Sequence, residues 1–140
     1  MAELKTKPTG ASVEDYLASI ADPRRATEAR QVTAMMGRVT DEPPRMWGAS
    51  IIGFGEYRYQ NSKGKDLCWF LTGLAPRKQA LTVYVMPGFD PWPDLMERIG
   101  PHRLGKSCLY ISRLEKVDFS VLEDLLARSV ALMRQRYGVA

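Results

Sequence analysis

One short segment of the sequence has the residue types and spacing of a phosphate-binding loop. Residues 100–107 read GPHRLGKS and fit the pattern G-x-x-x-x-G-K-[ST], in which backbone amides and a lysine hold phosphate groups. That chemistry requires a strand before the loop and a helix after it, because the amides of the helix terminus bind the phosphates. Here a predicted helix comes before the segment and the strand-like run CLYIS follows it. We therefore do not expect this segment to bind a nucleoside triphosphate.

Nucleophiles and metal ligands are few in this chain and are not grouped. His102 is the only histidine, so the chain cannot form a two-histidine metal motif or a histidine-rich catalytic site. Cys68 and Cys108 fall in predicted strands, where buried cysteines usually act as small hydrophobic residues. Residues 53–55, Gly-Phe-Gly, contain only half of a dinucleotide-binding fingerprint. We predict no catalytic residues and favour a protein that is not an enzyme.

Glycines interrupt the aromatic-rich stretch PRMWGASIIGFGEYRY at residues 44–59. Its isoleucine, phenylalanine and tyrosine residues suit a pleated surface, and the prolines at its start favour extended backbone. Gly53 and Gly55 weaken a strand unless a bulge, or a close approach by another backbone or a ligand, requires the missing side chain. A bulged strand packed under a helix and a strand that contacts a ligand both explain this pattern.

Hydrophobic periodicity predicts two helices before this stretch and a long helix at the end of the chain. Ser12 and Asp22 are the predicted N-caps of the two early helices. Asp118 is the predicted N-cap of the last helix, and Gly138 supplies a left-handed residue to end it. Met35 and Met36 of the second helix are predicted to be core residues, because no cysteine or histidine lies near them.

Four strands are predicted between the early helices and the last one. They are the stretch at 44–59, an apolar segment at 67–72, a segment at 81–86 and the run SCLYIS at 107–112. A short helix from Pro91 to Ile99, capped by Asp90, connects the third strand to the fourth. The sequence therefore predicts a flexible tail at residues 1–10 and one α+β domain at residues 11–140. Its predicted architecture is an antiparallel-rich four-stranded sheet with two N-terminal helices, a short crossover helix and a long C-terminal helix.

The directions of the predicted strands place aromatic and cationic residues at one end of the sheet. If hairpins join the first three strands, the start of the first, the end of the second and the start of the third lie together. A helix that returns the chain across the sheet would bring the start of the fourth strand to the same end. The predicted ligand-binding residues are Trp47, Gly48, Gly53, Gly55, Tyr57, Arg77, Lys78, His102 and Lys106. Such a cleft would hold a small carboxylate or phosphate; the alternative is that Trp47 is a core residue and the cations form a solvated rim.

Composition describes an ordinary globular chain with a mild positive charge. Of its 140 residues, 45% are hydrophobic and 26% are charged, and the net charge is +4 with a pI near 9.2. The positive charges are dispersed along the sequence without a basic stripe or a stacking motif, so no nucleic-acid partner is predicted. No apolar run approaches the length of a membrane helix and no signal peptide is visible. The expectation is a cytoplasmic protein without membrane contact, either a monomer or a homodimer.

Three segments, in this order, resemble the YdhG-like family of small bacterial proteins: MWGASIIGFGEYRY, LAPRKQALTVYV and LGKSCLYISRLEKVDFSVLEDLL. The resemblance covers about residues 10–132 and implies a compact α+β domain. Leu74 and Ala75 differ from the Phe-Ser that is usual in the family before Pro-Arg-Lys. The family is a domain of unknown function, and one branch is described as a frataxin-like iron chaperone. The resemblance therefore implies iron handling as an alternative function.

Carboxylate positions bear on that alternative because iron outside a cluster prefers hard oxygen ligands. Acidic and basic residues balance in the two early helices, so no acidic ridge is predicted there. Asp90, Asp94 and Glu97 form the best alternative metal set, since steps of four and three place them on one helix face. A capping residue and a solvated helix face beside Arg98 are the favoured explanation of these positions. The sequence favours a module that binds a small anion or a protein partner without a cofactor, with an iron chaperone as the alternative.

Overall fold

Four α-helices and eight β-strands form in the part of the chain that the structure describes. The structure is a computed structural model and describes residues 8–60 and 62–138. The helices are α1 (Val13–Ala18), α2 (Pro23–Thr40), α3 (Pro93–Arg98) and α4 (Phe119–Tyr137). The strands are β1 (Pro44–Trp47), β2 (Ile51–Phe54), β3 (Tyr57–Gln60), β4 (Asp66–Trp69), β5 (Thr72–Pro76), β6 (Leu81–Val85), β7 (Arg103–Leu104) and β8 (Cys108–Ile111). The predicted α+β class, the two early helices and the long C-terminal helix are confirmed.

Side-chain caps start α1, α2 and α4 where the sequence predicts them. The Ser12 hydroxyl oxygen accepts an amide of the first turn of α1 at 3.1 Å, and the Asp22 carboxylate accepts one at the start of α2 at 3.0 Å. The Asp118 carboxylate accepts two amides of the first turn of α4, at 3.1 and 3.2 Å. Gly138 ends α4 with φ of 66°. Each N-cap accepts hydrogen bonds from amides that have no partner inside the helix, and the Gly138 amide donates to the Arg134 carbonyl at the other end of α4.

The main sheet has six strands, not the four that the sequence predicts. Its order is β1-β2-β5-β6-β8-β7, every neighbouring pair is antiparallel, and β3 and β4 form a separate two-stranded hairpin. The single strand predicted at 44–59 is three strands, because Gly48 and Gly55 have φ of 67° and 64° and turn the chain at two points. This left-handed backbone is strained for other residues, which explains a glycine at both breaks.

Three further details of the predicted sheet are wrong. The strand predicted at 67–72 divides into β4 and β5, because the hairpin leaves the main sheet and the Leu71 amide rejoins it by donating to the Phe54 carbonyl at 3.0 Å. Residues 74–76, which lie beyond the predicted strand at 67–72, belong to β5. The short strand β7 was not predicted, and it pairs with β8 at the sheet edge.

The short helix α3 begins later than predicted and without the predicted cap. Asp90 lies outside the helix, Trp92 occupies the N-cap position, and no side chain there makes a capping hydrogen bond. Pro93 explains the start, since its ring sets a helical φ and the amide it lacks would have had no partner. The i, i+4 step from Asp90 to Asp94 is therefore not a helical one, so Asp90 does not share the helix face of Asp94 and Glu97.

The main hydrophobic core lies between α2, α4 and one face of the six-stranded sheet. Alternation along the strands sends every second side chain to this face. The sheet contributes Ile52, Leu74, Val83 and Leu109, α2 contributes Met35 and Met36, and α4 contributes Leu122, Leu125 and Leu126, all fully buried. The two methionines are thus core residues, as predicted. The opposite face of the sheet carries a smaller hydrophobic cluster around Trp47 and Phe70.

The chain start contacts the sheet edge. The Thr9 amide donates to the Met46 carbonyl at 2.8 Å. Residues 1–7 lie outside the described part of the chain, so the flexible tail at 1–10 stays a prediction. Among the described residues, no helix combines the length and the apolar character needed to cross a membrane.

Candidate functional site

Trp47 is a core residue and does not form the wall of an open cleft. Its side chain is 1% exposed, and its ring centroid lies 5.4 Å from that of Phe70 and 5.8 Å from that of Trp69. A Cβ at Gly53 would lie 2.6 Å from Cδ1 of Trp47 and 2.9 Å from Cβ of Phe70. The missing side chain of Gly53 therefore makes room for these two side chains, as the core alternative in the sequence analysis expects.

The other predicted residues of the aromatic stretch also have structural roles. Gly48 and Gly55 turn the chain, and a Cβ at Gly55 would lie 2.7 Å from a methyl carbon of Leu71. Tyr57 is almost buried, and its ring centroid lies 4.6 Å from that of Tyr137 at the end of α4. None of these residues lines a cleft with Arg77 and Lys78.

The predicted grouping of His102 with the three cations Arg77, Lys78 and Lys106 at one end of the sheet is wrong. Pro76 pairs with Leu81, which places the turn carrying Arg77 and Lys78 at one end. The chain returns to that end before His102, as expected, but β7 then carries it across the sheet again. Lys106 therefore lies at the opposite end, beside the end of β6, where the Val85 amide donates to the carbonyl of Ser107. An unpredicted strand of two residues is the physical reason for this reversal.

Arg77 and Lys78 instead belong to a cleft between the end of α1, the start of α2 and the β5–β6 turn. We call it the α1–β5 cleft, and its volume is about 390 Å³. It is lined by Tyr16, Ser19, Ile20, Ala21, Asp22, Arg25, Pro76, Arg77 and Lys78. Three of these residues are cations that come from two distant parts of the chain, so the fold concentrates positive charge here.

Hydrogen bonds hold the rim of the α1–β5 cleft in place. Nη1 of Arg77 donates to Oγ of Ser50 at 3.1 Å, and the Tyr16 hydroxyl donates to the Ser50 carbonyl at 3.0 Å. Burial raises the pKa of Tyr16, although Arg77 acts in the opposite direction. Tyr16 is therefore a neutral hydrogen-bonding group at physiological pH.

A buried ion pair forms the floor beside this cleft, and the sequence analysis missed it. Nη1 of Arg25 lies 2.7 Å from Oε1 of Glu28, and Oε2 of Glu28 accepts the Leu114 amide at 2.8 Å. Arg25 and Glu28 are 3% and 4% exposed. Among the described residues, Nε of Arg25 has no hydrogen-bond partner. The helical spacing in the sequence indicates that Arg25 is buried. Arg25 lies four residues before the buried Ala29 and therefore on the apolar stripe of α2.

Two further concave sites lie on the sheet face away from the main core. The basic pocket has a volume of about 430 Å³ and is lined by Pro101, His102, Arg103, Tyr110, Ser112, Arg113 and Lys116. The aromatic groove has a volume of about 470 Å³ and is lined by Tyr57, Tyr59, Trp69, Tyr84, Met86, Ser107 and Cys108. His102, predicted to join Arg77, thus lies in a different site. The GPHRLGKS segment contributes β7 to this region, and no helix leaves it, so it does not have the form of a phosphate loop.

A cavity between α2 and the turn before α4 is a weaker candidate for a binding site, because its charged groups already have partners. Its volume is about 530 Å³. Nη1 of Arg24 donates to the Ser112 carbonyl at 3.1 Å, and Glu28 bonds Arg25 and Leu114 as described above. An anion or a cation that entered here would have to compete with these contacts.

The described residues do not contain a metal-binding cluster. No group of three His, Cys, Asp or Glu side chains in residues 8–60 and 62–138 is arranged to hold a metal ion. Asp90, Asp94 and Glu97 are all exposed, and Asp90 is outside α3. The iron alternative stays a prediction that gains no support from side-chain geometry.

Cys68 should react slowly with alkylating reagents. Its Sγ donates to Oε2 of Glu56 at 2.8 Å, and burial together with this carboxylate raises the pKa of Cys68 to about 11. The thiolate fraction near neutral pH should then be roughly a hundredfold below that of an unperturbed thiol. In a Cys108→Ser background, Glu56→Gln should accelerate iodoacetamide labelling followed by mass spectrometry, because it removes the negative charge beside the sulfur. Equal labelling rates before and after the Glu56→Gln change would contradict this account.

Known proteins add nothing to this description of the sites. No protein-family model, no curated protein and no solved structure matches the chain. The resemblance to the YdhG-like family therefore stays a prediction from three sequence segments. Function has to be inferred from the α1–β5 cleft, the basic pocket and the aromatic groove.

Proposed function

We propose that this protein is a binding module for a small anion, a carboxylate or a phosphate ester, and that the anion occupies the α1–β5 cleft. The observation that carries the proposal is the convergence of Arg25, Arg77 and Lys78 on one concave site. A guanidinium group can bind either anion with two parallel hydrogen bonds, and the lysine adds a mobile positive charge.

The charge of the cleft stays positive after its internal pairs are counted. Glu28 balances Arg25, and the Asp22 carboxylate is engaged as the N-cap of α2, where it accepts the Arg24 amide. Arg77 and Lys78 are both exposed and lie on the β5–β6 turn. These two side chains therefore supply the charge that an incoming anion would neutralise.

Donor groups are available in suitable orientations. Arg77 uses one of its donors on Ser50, which orients the guanidinium, and its planar fork has further N–H groups for a ligand. The Ser19 hydroxyl on the cleft wall already donates its only proton to the Tyr16 carbonyl at 2.6 Å, so it adds no free donor for an anion. The buried Nε of Arg25 lacks an acceptor among the described residues, so a small adjustment towards a bound anion would satisfy it.

An NMR titration with inorganic phosphate, and separately with acetate, tests this proposal. We expect saturable shifts at Ser19 to Asp22 and at Arg77 and Lys78. Arg77→Ala should weaken binding by about tenfold or more, since a hydrogen bond to a charged group contributes roughly 1.5 to 3 kcal/mol. The same substitution should change the free energy of unfolding by less than about 1 kcal/mol, because the side chain is exposed.

Arg128→Ala is the matched control, since it removes one exposed arginine from α4, which does not line the cleft. It should leave both titrations unchanged. Equal weakening by the Arg128 and Arg77 substitutions would show that the shifts report net charge alone, and the absence of any saturable shift at the cleft would refute the proposal.

A further inference from the structure

One face of the six-stranded sheet is only partly covered by the rest of the fold. Thr82 pairs with Tyr110 and Tyr84 pairs with Cys108, so these four side chains share that face. Val83 points the opposite way and is fully buried in the main core. Tyr84, Cys108 and Tyr110 are half-buried, although they lie on the inner strands β6 and β8. The face therefore presents aromatic rings to solvent.

The aromatic groove and the basic pocket meet on this face. Cys108 lines the groove, Tyr110 lines the pocket, and the interaction with Cys108 raises the pKa of Tyr110. A Cβ at Gly105 would lie 3.1 Å from the Tyr110 hydroxyl and 3.6 Å from Cβ of Cys108. The missing side chain of Gly105 thus makes room for the Tyr110 ring, and the two sites lie next to each other on this face.

The two halves of this surface have different chemistry. The lining of the groove includes four aromatic rings and no charged side chain among the described residues. The lining of the pocket includes three fixed cations and His102, and no carboxylate in that part of the chain. Of these cations, Arg113 pairs with the exposed Glu115 at 3.0 Å, while the guanidinium carbon of Arg103 lies 5.6 Å from the centre of the Tyr110 ring. The cation next to the aromatic ring is thus held there by a cation–π contact.

We propose that this face binds single-stranded nucleic acid, with bases stacked on Tyr84 and Tyr110 and phosphates held by Arg103 and Lys116. The Arg103 guanidinium leaves the face of the Tyr110 ring to reach a phosphate, and a base takes its place on the ring. Unpaired bases present flat apolar faces that match the groove, and the phosphates that join them match the pocket. An open surface of this kind suits a strand that continues in both directions, whereas a duplex hides its bases. The inference is independent of the proposed anion cleft, because the two sites have no lining residue in common.

Fluorescence anisotropy with a labelled single-stranded oligodeoxynucleotide of mixed sequence tests the proposal. Tyr110→Ala should weaken binding roughly five- to a hundredfold, as expected for the loss of one base-stacking contact, whereas Tyr110→Phe should retain it. The logarithm of the binding constant should fall with the logarithm of salt concentration with a slope of about −1.4, for the two phosphate contacts of Arg103 and Lys116. Arg103→Ala should reduce the magnitude of that slope by about 0.7.

Arg128→Ala again controls for net charge, because this exposed arginine belongs to α4, which packs against the other face of the sheet. It should leave affinity for the strand unchanged. A duplex of the same sequence that bound as tightly as the single strand would overturn the proposal. Displacement of the strand by equimolar adenosine monophosphate would also overturn it, since it would identify the ligand as a mononucleotide. Failure of Tyr110→Ala to weaken binding would exclude the stacking role.

Discussion

Replacing Trp47 by alanine should lower the free energy of unfolding by about 3 to 5 kcal/mol, the range for deletion of a large buried ring. The ring is 1% exposed and contacts Phe70 and Trp69 edge to face. Its removal leaves a cavity beside Gly53 that the strand backbone cannot fill, because neighbouring strands hold the backbone on both sides. Urea unfolding followed by circular dichroism measures the change.

Gly53 provides a second and more specific test of the same packing. Gly53→Ala should cost about 1 to 3 kcal/mol, because its new methyl group would overlap Cδ1 of Trp47. Part of that cost should disappear when the Trp47→Ala change is already present, so the two effects should not add. Gly10→Ala is the matched control, since a Cβ there meets no atom within 4 Å. Additive costs at Trp47 and Gly53 would contradict the contact.

Glu28→Ala should lower the free energy of unfolding by about 3 to 5 kcal/mol, because it leaves the buried Arg25 without its counter-charge. The carboxylate lies 2.7 Å from Nη1 of Arg25 and accepts the Leu114 amide at 2.8 Å. Its loss therefore removes both an ion pair and the acceptor of a buried backbone N–H group. Chemical denaturation gives the value, and thermal unfolding should show a lower midpoint.

Glu14→Ala is the matched control for Glu28→Ala, because it also breaks a glutamate–arginine pair. Glu14 accepts two hydrogen bonds from Arg30, at 3.0 and 2.7 Å, but the side chains are 69% and 45% exposed. Water can replace those bonds, so the expected cost is less than about 1 kcal/mol. Removing both buried charges, with Arg25→Met and Glu28→Gln, should cost less than Glu28→Ala alone. Equal costs at Glu14 and Glu28 would show that burial does not determine the effect.

The proposed nucleic-acid surface differs from what the sequence alone predicts, and the reason is spatial. Along the chain, Tyr84 is separated from Arg103 and Tyr110 by α3, so no stacking motif or basic stripe is visible. Pairing of β6, β8 and β7 brings these residues onto one sheet face. A pattern that depends on strand register cannot be recognised in a linear window.

Local signals in the sequence determined the α+β class, the caps of α1, α2 and α4, and the helical core residues. Ser12, Asp22 and Asp118 cap helices through contacts a few residues away, and Met35 and Met36 follow the helical period, so each could be recognised within one segment. Only the tertiary structure decided the number of strands, the position of Lys106 and the cations of the α1–β5 cleft. Strand β7 reverses the chain before β8, and the cleft joins Arg25 to Arg77 across separate elements. Those outcomes depend on strand pairing and packing between distant segments. The free energy of these interactions cannot be evaluated from the sequence of any one segment.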